Sequence, residues 1–211
     1  MKHYLMVDLG TGNSRVALVD SDGGILGLRT YTNVYHRDSA YEDGQYFLPE
    51  DWAALLLQGC RELCREHPDV QVNAVSAAGA RQSFVLLDGN GRAFLGLPNI
   101  DNRGRAYMAQ VPEHDEIYRL SGKWATEDFG AAKLLGLRMQ HPEQYEAVES
   151  VLSLSEWIAW IFTGRKVMEY TQACESQLYD IGQRSWSRTL CSFYGLRPEF
   201  LPPLQAAGTA V

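Results

Sequence analysis

The chain has 211 residues, of which 45% are hydrophobic and 21% charged, and its formal net charge is −7. That apolar share excludes a disordered chain and supports a sizeable core, with roughly 70% of the unfolded surface buried at this length. The balance of 26 Asp+Glu against 19 Lys+Arg argues against a nucleic-acid binder, although it leaves room for a local basic patch.

In chain order, residues 4–7, 16–19 and 25–31 read as short apolar strands separated by the turn clusters Gly10-Thr11-Gly12-Asn13 and Ser21-Asp22-Gly23-Gly24. Strands joined by tight turns pair as antiparallel hairpins. Residues 32–48 are polar and aromatic and read as a loop. Pro49-Glu50-Asp51 opens a helix, with proline and acids where a first turn favours them, and Trp52, Leu55, Leu56, Cys60 and Leu63 recur at helical spacing. Residues 73–78 form the next strand, and 84–87 with 93–97 form a hairpin around Asp88-Gly89-Asn90-Gly91. The second half turns helical over 103–110, 113–120, 131–140 and 142–147. A strand over 151–154 precedes a helix over 156–162, which Ser155 can cap and Thr163-Gly164 ends. Trp157, Ile158, Trp160, Ile161 and Phe162 on that helix read as core or interface residues. Strand pieces over 167–169 and 177–180, a helix over 187–194 and a proline-marked tail follow. An early meander followed by helix and strand implies an α/β or mixed architecture.

No segment suits a membrane. Asp8 breaks the first apolar run, so no signal-peptide core forms, and the most apolar later stretch, 151–162, contains Ser153, Ser155 and Glu156 and is too short to span a bilayer. The expected setting is cytoplasmic. Cys60, Cys64, Cys174 and Cys191 are scattered without a convergent ligand set, and read as reduced thiols in or near the core.

Three segments carry chemistry. Asp8-Leu9-Gly10-Thr11-Gly12-Asn13-Ser14-Arg15 lies between two strands, which separates it from the P-loop and from the dinucleotide fingerprint. Gly10 and Gly12 let main-chain N–H groups face an anion, Thr11, Asn13 and Ser14 add donors, Arg15 can neutralise phosphate, and Asp8 can hold Mg²⁺ through water. The same octet also suits a plain hairpin turn. Gly79-Ala80-Arg81-Gln82-Ser83 follows a buried strand, where α/β domains place ligands. Arg81 and Gln82 there suit polyol hydroxyls or a solvated loop. Asn99-Ile100-Asp101-Asn102-Arg103 offers a carboxylate and a guanidinium for vicinal hydroxyls, or simply a helix cap at Asp101 or Asn102.

Taken in order, these segments resemble the FGGY family of carbohydrate kinases, and the resemblance runs along essentially the whole chain. Asp8-Leu9-Gly10-Thr11 with Arg15 is similar to the family's N-terminal phosphate motif. Residues 73–82 and 98–103 are similar to its two substrate loops. Phe129-Gly130-Ala131-Ala132-Lys133-Leu134-Leu135 resembles the segment around its signature lysine, and Glu156 to Gly164 with Glu169-Tyr170-Thr171-Gln172-Ala173-Cys174 resembles the helix and stretch beyond it. The resemblance implies a ribonuclease H-like, actin-like ATPase fold with a mixed β-sheet flanked by helices. Residues 1–211 would then be most of the N-terminal domain, with a C-terminal domain outside this chain.

By match, the resemblance implies that Gly10, Thr11, Gly12, Asn13 and Arg15 contact the phosphates of ATP and that Asp8 lies near Mg²⁺. It implies that Arg81, Gln82, Asp101 and Arg103 contact the sugar or polyol. Asp128 stands where glycerol kinase has a substrate-contacting tyrosine. The family's catalytic base is an aspartate in a glycine-rich segment, expected beyond Val211, so no catalytic residue is assigned here and these residues alone are expected to be inactive. Departures from the better-known members are Gly12 for a threonine, Arg81-Gln82 for Arg-Glu or Met-His, and Gly136 for a tryptophan. The expected function is phosphoryl transfer from ATP to a carbohydrate hydroxyl. The alternatives are a non-catalytic sugar- or nucleotide-binding member of the fold and an actin-like assembly module. A homodimer is the one protein partner this reading admits.

Overall fold

A computed structural model describes residues Met1–Val211. The chain opens as the expected meander: β1 (His3–Leu9), β2 (Asn13–Asp20) and β3 (Ile25–Thr32) pair antiparallel in sequence. Strand β6 (Val72–Gly79) then adds to the other side of β1 in parallel, so the sheet order is β3-β2-β1-β6. A parallel neighbour needs a crossover, and α1 (Pro49–Glu66) supplies it. One face of this sheet buries Leu5, Val7, Leu9, Val16 and Leu18, as the two-residue period of a strand requires. Helix α1 covers that face with Trp52, Leu56, Cys60 and Leu63, one stripe at helical spacing. On the opposite face Met6 and Leu28 are exposed.

A second sheet has the order β8-β7-β9, from β7 (Phe84–Leu87), β8 (Ala93–Leu97) and β9 (Ser150–Ser153), all antiparallel. Every residue of β7 and β9 is buried, because this sheet separates two cores. Val85, Leu87 and Leu152 pack with the first sheet, α1 and α5 (Leu154–Thr163). Phe84, Leu86 and Val151 pack on the other side against α2 (His114–Ser121), α3 (Gly130–Gln140) and later elements. The helix α4 (Pro142–Glu146), strand β10 (Met168–Glu169), helix α6 (Tyr170–Glu175), strands β11 (Tyr179–Asp180) and β12 (Ser185–Trp186), helix α7 (Arg188–Phe193) and strand β13 (Leu204–Gln205) complete the chain.

The structure corrects four local expectations. Residues 32–48 contain a short hairpin, β4 (His36–Asp38) with β5 (Gly44–Tyr46), which is too brief to show a period in sequence. Leu55 is exposed, one position outside the buried stripe of α1. The stretch 103–110 is a single 3₁₀ segment, Arg105–Gln110, and neither Asp101 nor Asn102 caps it. Helix α5 starts at Leu154 with Ser153 at its N-cap, so Ser155 lies inside the first turn. Both serine hydroxyls instead donate to the Glu156 carboxylate, whose burial pushes its pKa up to about 7.

Phe47 ties the β4–β5 segment to the second sheet. It exchanges two backbone hydrogen bonds with Gly96, stacks on Trp52 with centroids 4.1 Å apart, and is fully buried. A Cβ on Gly96 would sit 2.2 Å from the Phe47 ring. Gly96→Ala should therefore cost about 1–3 kcal/mol by overpacking. Gly89→Ala, where a Cβ meets nothing within 4 Å, should be near neutral. Thermal melts of the two variants check this, and equal Tm values would contradict the packing described.

Candidate functional site

Strands β1 and β6 end side by side, with Leu9 opposite Gly79, and Ala80 N–H donates to the Leu9 carbonyl at 2.7 Å. The turn Gly10–Gly12 and the turn Arg81–Gln82 therefore leave neighbouring carboxyl ends of parallel strands, the place where α/β sheets bind ligands. The loop 98–103, leaving β8, joins them. Asn99 N–H donates to Ser83 Oγ at 2.9 Å, and Asn99 Nδ2 donates to Thr11 Oγ1 at 3.0 Å. The three segments singled out in the sequence thus meet at one place.

In the first segment, Asp8 faces Arg15 across the β1–β2 pair, and their side chains form a half-exposed ion pair at 3.0 Å. Gly10 N–H closes the turn on the Asn13 carbonyl at 3.0 Å. The N–H groups of Thr11 and Gly12 donate to no acceptor in the chain. Two free amides beside an exposed guanidinium fit an anion. One exposed carboxylate fits Mg²⁺ held largely by water and phosphate, the manner this ion prefers. No group of three His, Cys, Asp or Glu residues gathers as a cage.

Arg81 is exposed and Gln82 half-buried, and Gln82 adopts the left-handed region with φ 60°. Asp128 is exposed two residues before α3, where Thr126 Oγ1 donates to it at 3.2 Å, and its charge is felt at Lys133.

Asp101 and Arg103, expected to contact the sugar, are buried and partnered by other residues of the chain. Asp101 is 0% exposed and Arg103 1%. Asp101 accepts from Gln45 N–H at 2.8 Å through Oδ1 and from Arg103 Nε at 2.7 Å through Oδ2. Arg103 also donates to the Gln45 carbonyl, lies 3.5 Å from Asp38 and sits over the Tyr41 ring. The pair therefore props loop 98–103 from behind. Lys133 is the third buried charge. Its Nζ donates to the carbonyls of Pro98 at 3.0 Å, Asp101 at 2.5 Å and, at 3.5 Å, Asn99. Burial pushes the Lys133 pKa down to about 8 and raises that of Asp101. Helix α3 brings Lys133 this close because Gly136 lies against the Arg103 backbone, where a Cβ would sit 2.5 Å from the Arg103 carbonyl oxygen.

Sequence reading did not find Asn33, Tyr35, Asp38, Tyr41 or Gln45, all within 32–48. Their partners are distant in the chain, and the only local signal was the mix of amide, aromatic and acidic residues.

Residues 3–211 match the FGGY family of carbohydrate kinases, N-terminal domain, and the chain belongs to that family. It is 40% identical over its full length to "Putative sugar kinase YoaC" of Bacillus subtilis (strain 168), covering 43% of that protein. It is 29% identical over 98% of its length to the "Autoinducer-2 kinase" of Salmonella choleraesuis, covering 41%. Among solved structures, a xyloylose kinase from Brucella ovis superposes with a TM-score of 0.89 at 20% identity, covering 99% of this chain and 43% of that one. Plasmodium falciparum glycerol kinase with ADP gives 0.85 at 16% identity, covering 97% and 43%. The fold is that of these sugar kinases, the actin-like ATPase fold. The chain spans about 43% of the length of its first curated relative. No helix is long and apolar enough to cross a membrane.

The buried Lys133 has a pH signature. Its folded pKa near 8 lies below its ordinary value of 10.5, so between those values the unfolded chain binds more protons. Stability attributable to Lys133 therefore rises with pH through that window, by up to about 3 kcal/mol at 1.36 kcal/mol per unit. Urea unfolding of wild type and Lys133→Met at pH 7.5 to 10 should show the difference growing in favour of wild type, whereas a pH-independent difference would contradict the buried cation.

Proposed function

We propose that the protein is an ATP-dependent carbohydrate kinase, with this chain supplying its sugar-binding loops and one wall of its nucleotide site. The observation that carries the reading is the meeting of a hairpin with two free amides, Thr11 and Gly12, and a loop presenting Arg81 and Gln82 at adjacent ends of β1 and β6. Membership of a carbohydrate-kinase family supports it.

In this reading, Thr11 and Gly12 N–H, the Thr11 hydroxyl and Arg15 hold the nucleotide phosphates, with Gly10 and Asn13 closing the turn that presents them. The Thr11 hydroxyl exchanges hydrogen bonds with the Asn99 amide, accepting from Nδ2 at 3.0 Å and donating to Oδ1 at 3.3 Å, so it turns its proton from Asn99 to the anion when phosphate binds. Asp8 would hold Mg²⁺ through water, and the ion would offset the charge that develops on the transferred group. Arg81, Gln82 and Asp128 hold the sugar or polyol, and Asp101 and Arg103 act through the loop they support. Catalysis is mainly positioning and charge stabilisation, so the chain's contribution is to fix acceptor and phosphates in register. The proton of the attacking hydroxyl goes to a carboxylate from the glycine-rich segment expected beyond Val211. An autoinducer-2 kinase among the relatives, and a xylulose kinase and a gluconate kinase of the same fold, make autoinducer-type sugars, ketoses and sugar acids the acceptors to try first. A cytoplasmic setting suits an ATP-consuming enzyme.

Full-length protein assayed for ADP release with Mg·ATP and a panel of pentuloses, hexuloses, polyols, gluconate and phosphorylatable autoinducer-type sugars should show turnover with at least one acceptor. Arg81→Ala should raise the KM for that acceptor by about tenfold, the loss of one charge-assisted hydrogen bond. The ATP KM should stay within about twofold. Absence of acceptor-dependent ADP release across the panel would contradict the kinase reading.

A further inference from the structure

The Gly10–Asn13 hydrogen bond closes the hairpin, but the carbonyls of its turn are held by residues outside the motif. Asn33 and Tyr35, just beyond β3, engage its carbonyls. Asn33 Nδ2 donates to the Gly10 carbonyl at 2.7 Å and to the Thr11 carbonyl at 3.2 Å. Asn33 N–H donates to the Gly12 carbonyl at 3.0 Å, and Tyr35 OH donates to the Thr11 carbonyl at 2.6 Å. The amide of Asn33 is itself fixed, because Ser14 Oγ donates to its Oδ1 at 2.6 Å. Both ends of one side chain are thus in use, and every carbonyl from Gly10 to Gly12 is engaged.

The consequence follows from the planarity of the peptide. The Gly10 carbonyl and the Thr11 N–H belong to one trans peptide unit and point in opposite directions, as do the Thr11 carbonyl and the Gly12 N–H. Drawing those carbonyls toward Asn33 and Tyr35 turns the Thr11 and Gly12 N–H groups away from them. These are the amides that donate to nothing in the chain. Glycines on both sides of Thr11 make the turn permissive, so without this restraint either peptide unit could rotate and present a carbonyl oxygen to the anion.

The lock is anchored in the core. Trp52 of α1 is buried, stacks on Phe47, meets the Tyr35 ring edge-on at 5.7 Å and donates from Nε1 to the Val34 carbonyl at 3.4 Å. The segment 33–35 is therefore held by α1 on one side and holds the hairpin on the other.

We infer that Asn33 and Tyr35 are positioning residues for the nucleotide phosphates, setting the Thr11 and Gly12 amides outward before ATP arrives. The inference rests on the kinase reading above and is specific to the nucleotide half of the site. In the full-length enzyme with its accepted sugar, Asn33→Leu removes the amide at similar size, and Tyr35→Phe removes one hydroxyl. The ATP KM should rise about tenfold for Asn33→Leu and about threefold for Tyr35→Phe. The sugar KM should stay within twofold in both, which a merely structural lesion would not spare. Tyr35→Phe decides alone if Asn33→Leu fails to fold. An unchanged ATP KM in a folded variant, or ATP and sugar KM values rising together, would overturn the inference. If wild type shows no ATP-dependent turnover with any sugar, the kinase reading fails and this inference falls with it. If wild type turns over and the variants match it, only the inference fails.

Discussion

The parallel pairing of β1 with β6 is the constraint on which the rest of the structure depends. Antiparallel hairpins return the chain to where it came from, and a meander alone would scatter its turns to both ends of the sheet. Because β6 enters beside β1 in the same direction, Leu9 and Gly79 end opposite each other and the two turns after them open at one edge. Helix α1 makes that pairing possible by crossing over one face, and the same helix delivers Trp52 to the segment that restrains the hairpin. One connection therefore closes the core and arranges the site.

The third side of the site is built differently. Loop 98–103 has no neighbouring strand to fix its far end, and it is held instead by buried charge. Asp101, Arg103 and Lys133 have no solvent to stabilise them, so they depend on one another, on Asp38 and on backbone groups such as Gln45 N–H and the Pro98 carbonyl. Breaking one partner leaves another charge unpaired in the interior, which makes the loop's shape all-or-none. Helix α3 can bring Lys133 close enough only where it lacks side chains facing the loop, and Gly136 occupies that point. A larger residue at Gly136 would collide with the Arg103 backbone.

Much of this was legible in the sequence. Strands β1, β2 and β6 alternate, α1 shows its stripe and its proline start, and the three ligand segments stood out by glycine, arginine and amide content beside strand ends. What was not legible depends on distant partners. Asp101 and Arg103 look like exposed loop charges until Lys133, Gln45 and Asp38 enclose them. Asn33 and Tyr35 sit in a stretch with no period, and their partners in the β1–β2 turn lie more than twenty residues earlier in the chain. Ser155 looks like a cap in sequence, and only the buried Glu156 decides what it bonds.

The central claim is that the hairpin after β1 binds phosphate through main-chain amides oriented in advance. The most direct measurement is a crystal structure of the full-length protein with Mg·ADP and an inert phosphate mimic. The account predicts phosphate oxygens about 2.7–3.2 Å from the Thr11 and Gly12 nitrogens, with Asn33 still donating to the Gly10 and Thr11 carbonyls. A nucleotide bound with its phosphates away from this hairpin, or a hairpin that flips its peptides to receive them, would contradict it.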